Sequence, residues 1–139
     1  MLKEVAIKYY RMGYNCAESI IRAGNEVYDL GLHDKDMNMT AACGGGFQIG
    51  DVCGALSGAA CVISSRYVET KAHDYADMRP LTQKLVIAFQ KRMGSRLCAQ
   101  IKPVFHNKEI KCENTVATAA EVLEHVIMEW DAEHNTVEQ

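Results

Sequence analysis

The chain carries six cysteines, Cys16, Cys43, Cys53, Cys61, Cys98 and Cys112, and they are its most reactive side chains. A thiolate can exchange with a disulfide, act as a nucleophile or ligate a soft metal. No pair is spaced C-x-x-C and no C-x-x-C-H occurs, so the usual thioredoxin-type and c-type haem signatures are absent. Every separation between neighbouring cysteines is long, so any constellation has to be assembled by the fold. The histidines (His33, His73, His106, His125 and His134) form no ligand pair at helical spacing. His106 lies near Cys112 in sequence and is expected to be a solvated loop residue. The carboxylates are scattered, and the glycines spell neither a phosphate loop nor a dinucleotide fingerprint.

The segment 44–61 concentrates the signal. Gly44-Gly45-Gly46 is too flexible for a helix interior, where each glycine costs about 1 kcal/mol against alanine. After Gly50-Asp51 the residues become small and apolar. Asp51 is the expected N-cap of a helix over 52–67, which puts Cys53 in its first turn, where unpaired N–H groups and the helix dipole favour thiolate. Asn15-Cys16-Ala17-Glu18 reads as a capping box, so Cys16 is expected at a second helix start. Gly54 and Gly58 are four apart and predict close helix packing. Cys61 lies eight residues beyond Cys53, about 12 Å along the helix, too far for direct pairing, and is expected to be packing. Cys43 adjoins the glycine run and is expected to be packing or incidental.

The remaining elements follow from helical periodicity. Residues 2–12 place Leu2, Val5, Ala6, Tyr9 and Met12 on one face before Gly13. A second helix runs from Cys16 to about Leu30 and is closed by Gly31. A short helix is expected over 37–43, and 71–77 is a polar link. Pro80 suits a first helical turn, and Leu81, Leu85, Ala88, Phe89 and Met93 form a stripe that ends at Gly94. Segment 95–111 is expected to be irregular, with Pro103 breaking any helix. The last helix spans about 114–131, with Val116, Ala119, Ala120, Leu123, Val126, Ile127 and Trp130 inward; residues 135–139 are expected to fray. No period-two pattern persists. The expected fold class is all-α: one domain over residues 1–139, a bundle of about five helices.

Composition agrees with that reading. The 139 residues are 48% hydrophobic with only 2 prolines, enough to bury a core, and the net charge of −3 gives no reason to expect nucleic acid. The chain start lacks a secretory h-region and no apolar run is long enough to span a bilayer, so no membrane is expected and the cytoplasm is the expected location. In that reducing compartment thiols are more often catalytic, redox-sensing or metal-binding than structural. Charge is unevenly distributed. Segment 91–111 carries Lys91, Arg92, Arg96, Lys102, Lys108 and Lys111 against Glu109 alone, whereas the chain from Cys112 onward has seven acids and no Lys or Arg. Cys98 and Cys112 bracket the basic segment, whose cations favour thiolate. A disulfide between them would stabilise by roughly 3 kcal/mol.

Cys53-Gly54-Ala55-Leu56-Ser57-Gly58 matches C-G-A-x-x-G, preceded by Asn15-Cys16-Ala17-Glu18 and followed by lone Cys98 and Cys112. This set resembles the family of redox-active proteins named for its C…GCAxxG…C…C pattern, over essentially the whole chain. The order here is Cys-Gly-Ala. The resemblance implies that the family's characteristic cysteines are Cys16, Cys53, Cys98 and Cys112, with Cys43 and Cys61 outside the pattern. It names no substrate.

Three functions fit. The first is thiol redox chemistry, possible as a thiol-based oxidoreductase, with Cys16, Cys53, Cys98 and Cys112 as the reacting groups and no cofactor required. Its partner would be a redox protein or a small thiol. Four cysteines allow three pairings, and all stay open. The second is a metal site in which the same four residues hold zinc or an iron–sulfur cluster. The third is a non-catalytic helical interaction module. A homo-oligomer is compatible with each.

Overall fold

The computed structural model describes residues 1–134, so the expected frayed end, 135–139, lies outside the described residues. The fold is all-helical. Seven α-helices are present among the described residues: α1 (Leu2–Arg11), α2 (Cys16–Tyr28), α3 (Asp34–Met37), α4 (Gly54–Tyr67), α5 (Met78–Met93), α6 (Cys98–Phe105) and α7 (Glu113–His134). The expectation of about five is therefore corrected. The added elements are short. Helix α3 is held by the His33 N–H donating to Asp36 Oδ2 at 2.9 Å and by buried Arg22, which reaches Asp34 and Asn38. Helix α6 contains Pro103, which was expected to forbid it. Pro103 sits in the last turn, so its missing N–H removes a single bond, while Cys98 and Ile101 are buried on the inward face.

Helix α2 lies between α1 and α4, and α7 packs across α1, α4 and α5. The core is one apolar cluster that includes Ile20, Ile21, Val62, Leu85, Phe89 and Leu123. The expected stripe on α7 is the observed one: Val116, Ala119, Ala120, Leu123, Val126, Ile127 and Trp130 are all buried. On α1 the face is rotated from the expected one. Leu2 and Ala6 are buried and Tyr10 packs beside them, whereas Met12 is 63% exposed and Tyr9 donates outward to Glu26 Oε1 at 2.7 Å. The i, i+4, i+8 row wins over the i+7 alternative because α1 meets both α2 and α7.

Small residues set the α2–α4 separation. A Cβ at Gly58 would lie 2.6 Å from the Ala17 carbonyl oxygen, and one at Gly24 would lie 2.5 Å from Val62 Cγ2. Each helix therefore presses a glycine against its partner, as the Gly54/Gly58 spacing predicts. This contact brings the N-terminal ends of α2 and α4 together at one end of the molecule.

Candidate cysteine cavity at four helix starts

Each of the four motif cysteines stands at the beginning of a helix. Cys16 is the first residue of α2, Cys53 the N-cap of α4, Cys98 the first residue of α6, and Cys112 immediately precedes α7. The Asn15 capping box forms as expected: the Glu18 N–H donates to Asn15 Oδ1 and the Asn15 N–H to Glu18 Oε1, both at 3.0 Å. At α4 the expectation is corrected, because Cys53 itself is the N-cap and Asp51 makes no side-chain cap. The reason is a single antiparallel rung between Val52 and Leu97. Its flanking bonds run from the Cys53 N–H to the Arg96 carbonyl, 2.8 Å, and from the Cys98 N–H to the Asp51 carbonyl, 2.7 Å. Residues 51–53 are held extended by that rung, so the helix starts later. The same rung ties the Cys53 and Cys98 backbones into one short ladder, at diagonal positions across it.

The glycine run has a specific shape. Gly45, Gly46, Phe47 and Gln48 take successive left-handed conformations, with φ of 62°, 61°, 58° and 64°. For a residue with a Cβ this region costs roughly 1–2 kcal/mol, so the non-glycine positions Phe47 and Gln48 are strained. The turn is closed by the Asp51 N–H donating to the Gly46 carbonyl at 2.9 Å. It delivers the Gly45 N–H to the Cys16 thiol.

All four cysteines line one cavity of about 350 Å³. Its wall also includes Tyr10, Tyr14, Asn15, Gly45, Ile101, Lys102, Lys111 and Thr115, and no His, Asp or Glu. Cys16, Cys53 and Cys98 are buried; Cys112 is half-buried and is the most accessible of the set. Cys43 and Cys61 lie apart from the cavity, both half-buried, Cys61 packed on the core. Burial raises the Cys61 thiol, and a charge on neighbouring Cys43 adds to it. His106 is exposed and does not line the cavity, in agreement with its reading as a solvated residue.

The electrostatics reverse one expectation. Helix starts were expected to lower the thiol pKa values. Burial instead pushes Cys53 up to about 12, although the N–H groups of Ala55 and Leu56 pull the other way. Cys16 is raised by burial against the pull of the Gly45 and Ala17 N–H groups. Cys112 is raised by burial too, and there the Lys102 charge is the largest opposing influence. Desolvation of a sulfur anion outweighs a few backbone dipoles. Negative charge on a neighbour adds to it: Cys98 and Cys112 raise Cys16, and Cys16 and Cys98 raise Cys53. Four thiolates cannot coexist here uncompensated, so the group favours protonation, pairing or a cation.

Tyr10 was not singled out by the sequence. Its hydroxyl accepts from the Cys112 N–H at 2.9 Å and also hydrogen-bonds the Cys112 thiol. Its only sequence signal is the i+8 position from Leu2. Tyr14 was missed as well; the Arg22 guanidinium stacks on its ring at 4.2 Å and fixes it at the cavity wall.

The donor set does not fit one metal ion as the side chains stand. Among the described residues no three His, Cys, Asp or Glu side chains are placed to hold one. The four thiols line a cavity, and thiolates are the ligand type that zinc and iron–sulfur clusters both take.

A family described as "Putative redox-active protein (C_GCAxxG_C_C)" matches residues 14–126. The chain belongs to that family. The matched region contains all four cavity cysteines, and α1, which supplies Tyr10, lies before it. By its description the C_GCAxxG_C_C family is redox-active. No curated protein and no solved structure matches the chain. Among the described residues no helix is long and apolar enough to cross a membrane.

Proposed function

We propose that this protein is a thiol-based redox protein in which Cys16, Cys53, Cys98 and Cys112 act as one centre within a single domain. The centre carries electrons by cycling between dithiol and disulfide. The observation that carries this reading is the gathering of four sequence-distant cysteines on one cavity whose wall holds no carboxylate and no imidazole. A non-catalytic interaction module gives no reason for that gathering. In the reduced state burial keeps Cys16 and Cys53 protonated at neutral pH. Pairing two of the cavity thiols into a disulfide removes two groups that burial and mutual repulsion prevent from ionising together. Cys112, half-buried and facing Lys102, is the natural point of entry for exchange. The reducing cytoplasm is the compartment in which such a cycle can be reset.

A second reading is supported by the N–H groups aimed at sulfur. Gly45 and Ala17 donate toward Cys16, and Ala55 and Leu56 toward Cys53. Such bonds stabilise thiolate ligands and tune the potential of an iron–sulfur cluster. In that case the four cysteines would hold the cluster, which supplies one-electron transfer when bound.

The readings separate on protein purified and kept without oxygen. A colourless protein, free of iron and acid-labile sulfide, whose cavity thiols oxidise reversibly in pairs supports the thiol centre. Brown colour with stoichiometric iron and sulfide overturns it in favour of the cluster.

A further inference from the structure

We infer that the cysteine cavity takes a small anionic disulfide, and that Lys102 and Lys111 recognise its negative charge. The inference rests on the thiol reading proposed for the site and adds the substrate class. Size comes first. A cavity of about 350 Å³ falls at the lower end of small-molecule sites and is too confined for a folded partner's surface. Charge comes second. The sequence has 18 Asp and Glu and a net charge of −3, yet no carboxylate lines the cavity, while two lysines do. The other cations of the basic segment include Arg92, which pairs with Glu121 at 2.8 Å, and Arg96, which donates to Gln90 at 2.6 Å. Lys102 and Lys111 form no ion pair among the described residues.

Their placement is not that of casual surface lysines. Lys102 projects from α6, one turn beyond Cys98, and its charge reaches Cys112. Lys111 is held in a left-handed conformation, φ 54°, at the end of a tight turn. That turn is closed by paired bonds between Asn107 and Lys111, 2.9 and 2.6 Å, and by Asn107 Oδ1 accepting from the Glu109 N–H at 2.7 Å. The turn fixes Lys111 beside Cys112, and the four helix starts contribute field of the same sign. An anionic disulfide entering the cavity thus finds two lysines and Cys112 on the same wall.

The exchange balances as follows. Cys112 Sγ, as thiolate, attacks one sulfur of the substrate. The substrate S–S bond breaks, a mixed disulfide forms, and half of the substrate leaves as a thiolate. A second cavity thiol gives up its proton and attacks Cys112 Sγ, displacing the other half. Two electrons pass from two cysteine sulfurs to the substrate disulfide. The two cysteine protons end on the two released thiols.

The test uses fully reduced full-length protein and three small disulfides of similar size: dianionic dithiodiglycolate, neutral bis-hydroxyethyl disulfide and dicationic cystamine. Second-order rates of thiol loss are normalised to those of N-acetylcysteine amide. The expected result is an anion-over-cation preference of about tenfold or more at low ionic strength, shrinking as salt is added. In the Lys102→Gln/Lys111→Gln variant the ratio should fall to that of the reference thiol. Both lysines are exposed and unpaired, so folding of the variant, checked by its helical circular dichroism, is expected to persist. A ratio equal to the reference, or a preference untouched by the double substitution, overturns the inference and leaves the thiol centre standing. Failure of all three reagents to oxidise the native protein, when the denatured chain reacts, overturns the thiol reading and this inference with it.

Discussion

Gly54 is the space that Cys16 occupies. A Cβ at position 54 would lie 2.6 Å from Cys16 Sγ, 2.9 Å from the Cys43 carbonyl oxygen and 3.1 Å from Gly44 Cα. The first glycine of the C-G-A-x-x-G motif therefore lets a cysteine on one helix reach across the start of the next. Gly54→Ala should lower stability by about 1–3 kcal/mol, the usual cost of overpacking, and should also displace the Cys16 thiol. Denaturant unfolding reads the first effect, and site-resolved alkylation rates of the native protein read the second.

The other motif glycine separates packing from chemistry. At Gly58 a Cβ would meet the Ala17 backbone, with the carbonyl oxygen at 2.6 Å and Cα at 3.2 Å, one turn away from the thiols. Gly58→Ala should cost a similar amount, about 1–3 kcal/mol, by pushing α4 off α2. At temperatures where the variant remains folded, the number of thiols that oxidise in pairs should match that of the wild type.

Stability of the reduced protein should fall in alkaline solution. Burial raises Cys53 from 9.0 to about 12, and Cys16 and Cys112 are raised in the same direction. A folded state that holds a proton more tightly than the unfolded chain is stabilised fully below the unfolded pKa. It loses that stability as pH rises through the folded pKa. The window for Cys53 therefore opens near pH 9.0 and closes near about 12. Half-buried Tyr28, raised to about 12 by desolvation, and Tyr67, also raised, act with the same sign. Urea midpoints measured without oxygen should decline above that lower bound, and Cys53→Ala should make the decline shallower.

Tyr10 should position and tune Cys112. Its hydroxyl accepts from the Cys112 N–H and hydrogen-bonds the thiol. Tyr10→Phe should cost about 0.5–1.5 kcal/mol, the net worth of a hydrogen bond, and raise the Cys112 pKa further. The expected signature is an alkylation pH profile for Cys112 shifted to higher pH. A purely structural role would leave that profile in place.

Much of the scaffold is readable in the sequence, and the exceptions have physical causes. The α7 stripe is legible because one face meets the core along its whole length. The Asn15 capping box is legible because both of its bonds lie within four residues. The close α2–α4 contact is legible in the Gly54/Gly58 spacing. What escapes is non-local. Asp51 looks like a cap, but the rung between Val52 and Leu97, 45 positions apart in the sequence, takes its backbone instead. Pro103 looks like a breaker, but the burial of Cys98 and Ile101 holds a helix around it. The shifts of Cys16, Cys53 and Cys112 follow burial, which local sequence does not show, and not the helix dipole, which it does. Tyr10 joins the site only because α1 folds against the start of α7, where the Arg11 guanidinium makes two bonds to Glu113, at 2.8 and 3.0 Å.

The most direct measurement of the central claim is redox-state mapping of all six cysteines. Protein kept without oxygen would be equilibrated across a graded ratio of reduced to oxidised dithiothreitol, quenched in acid, alkylated and read peptide by peptide. The expected result is paired loss of label confined to Cys16, Cys53, Cys98 and Cys112, with Cys43 and Cys61 labelled throughout. Full labelling of the four cavity cysteines at every potential, or pairing confined to Cys43 and Cys61, would contradict it.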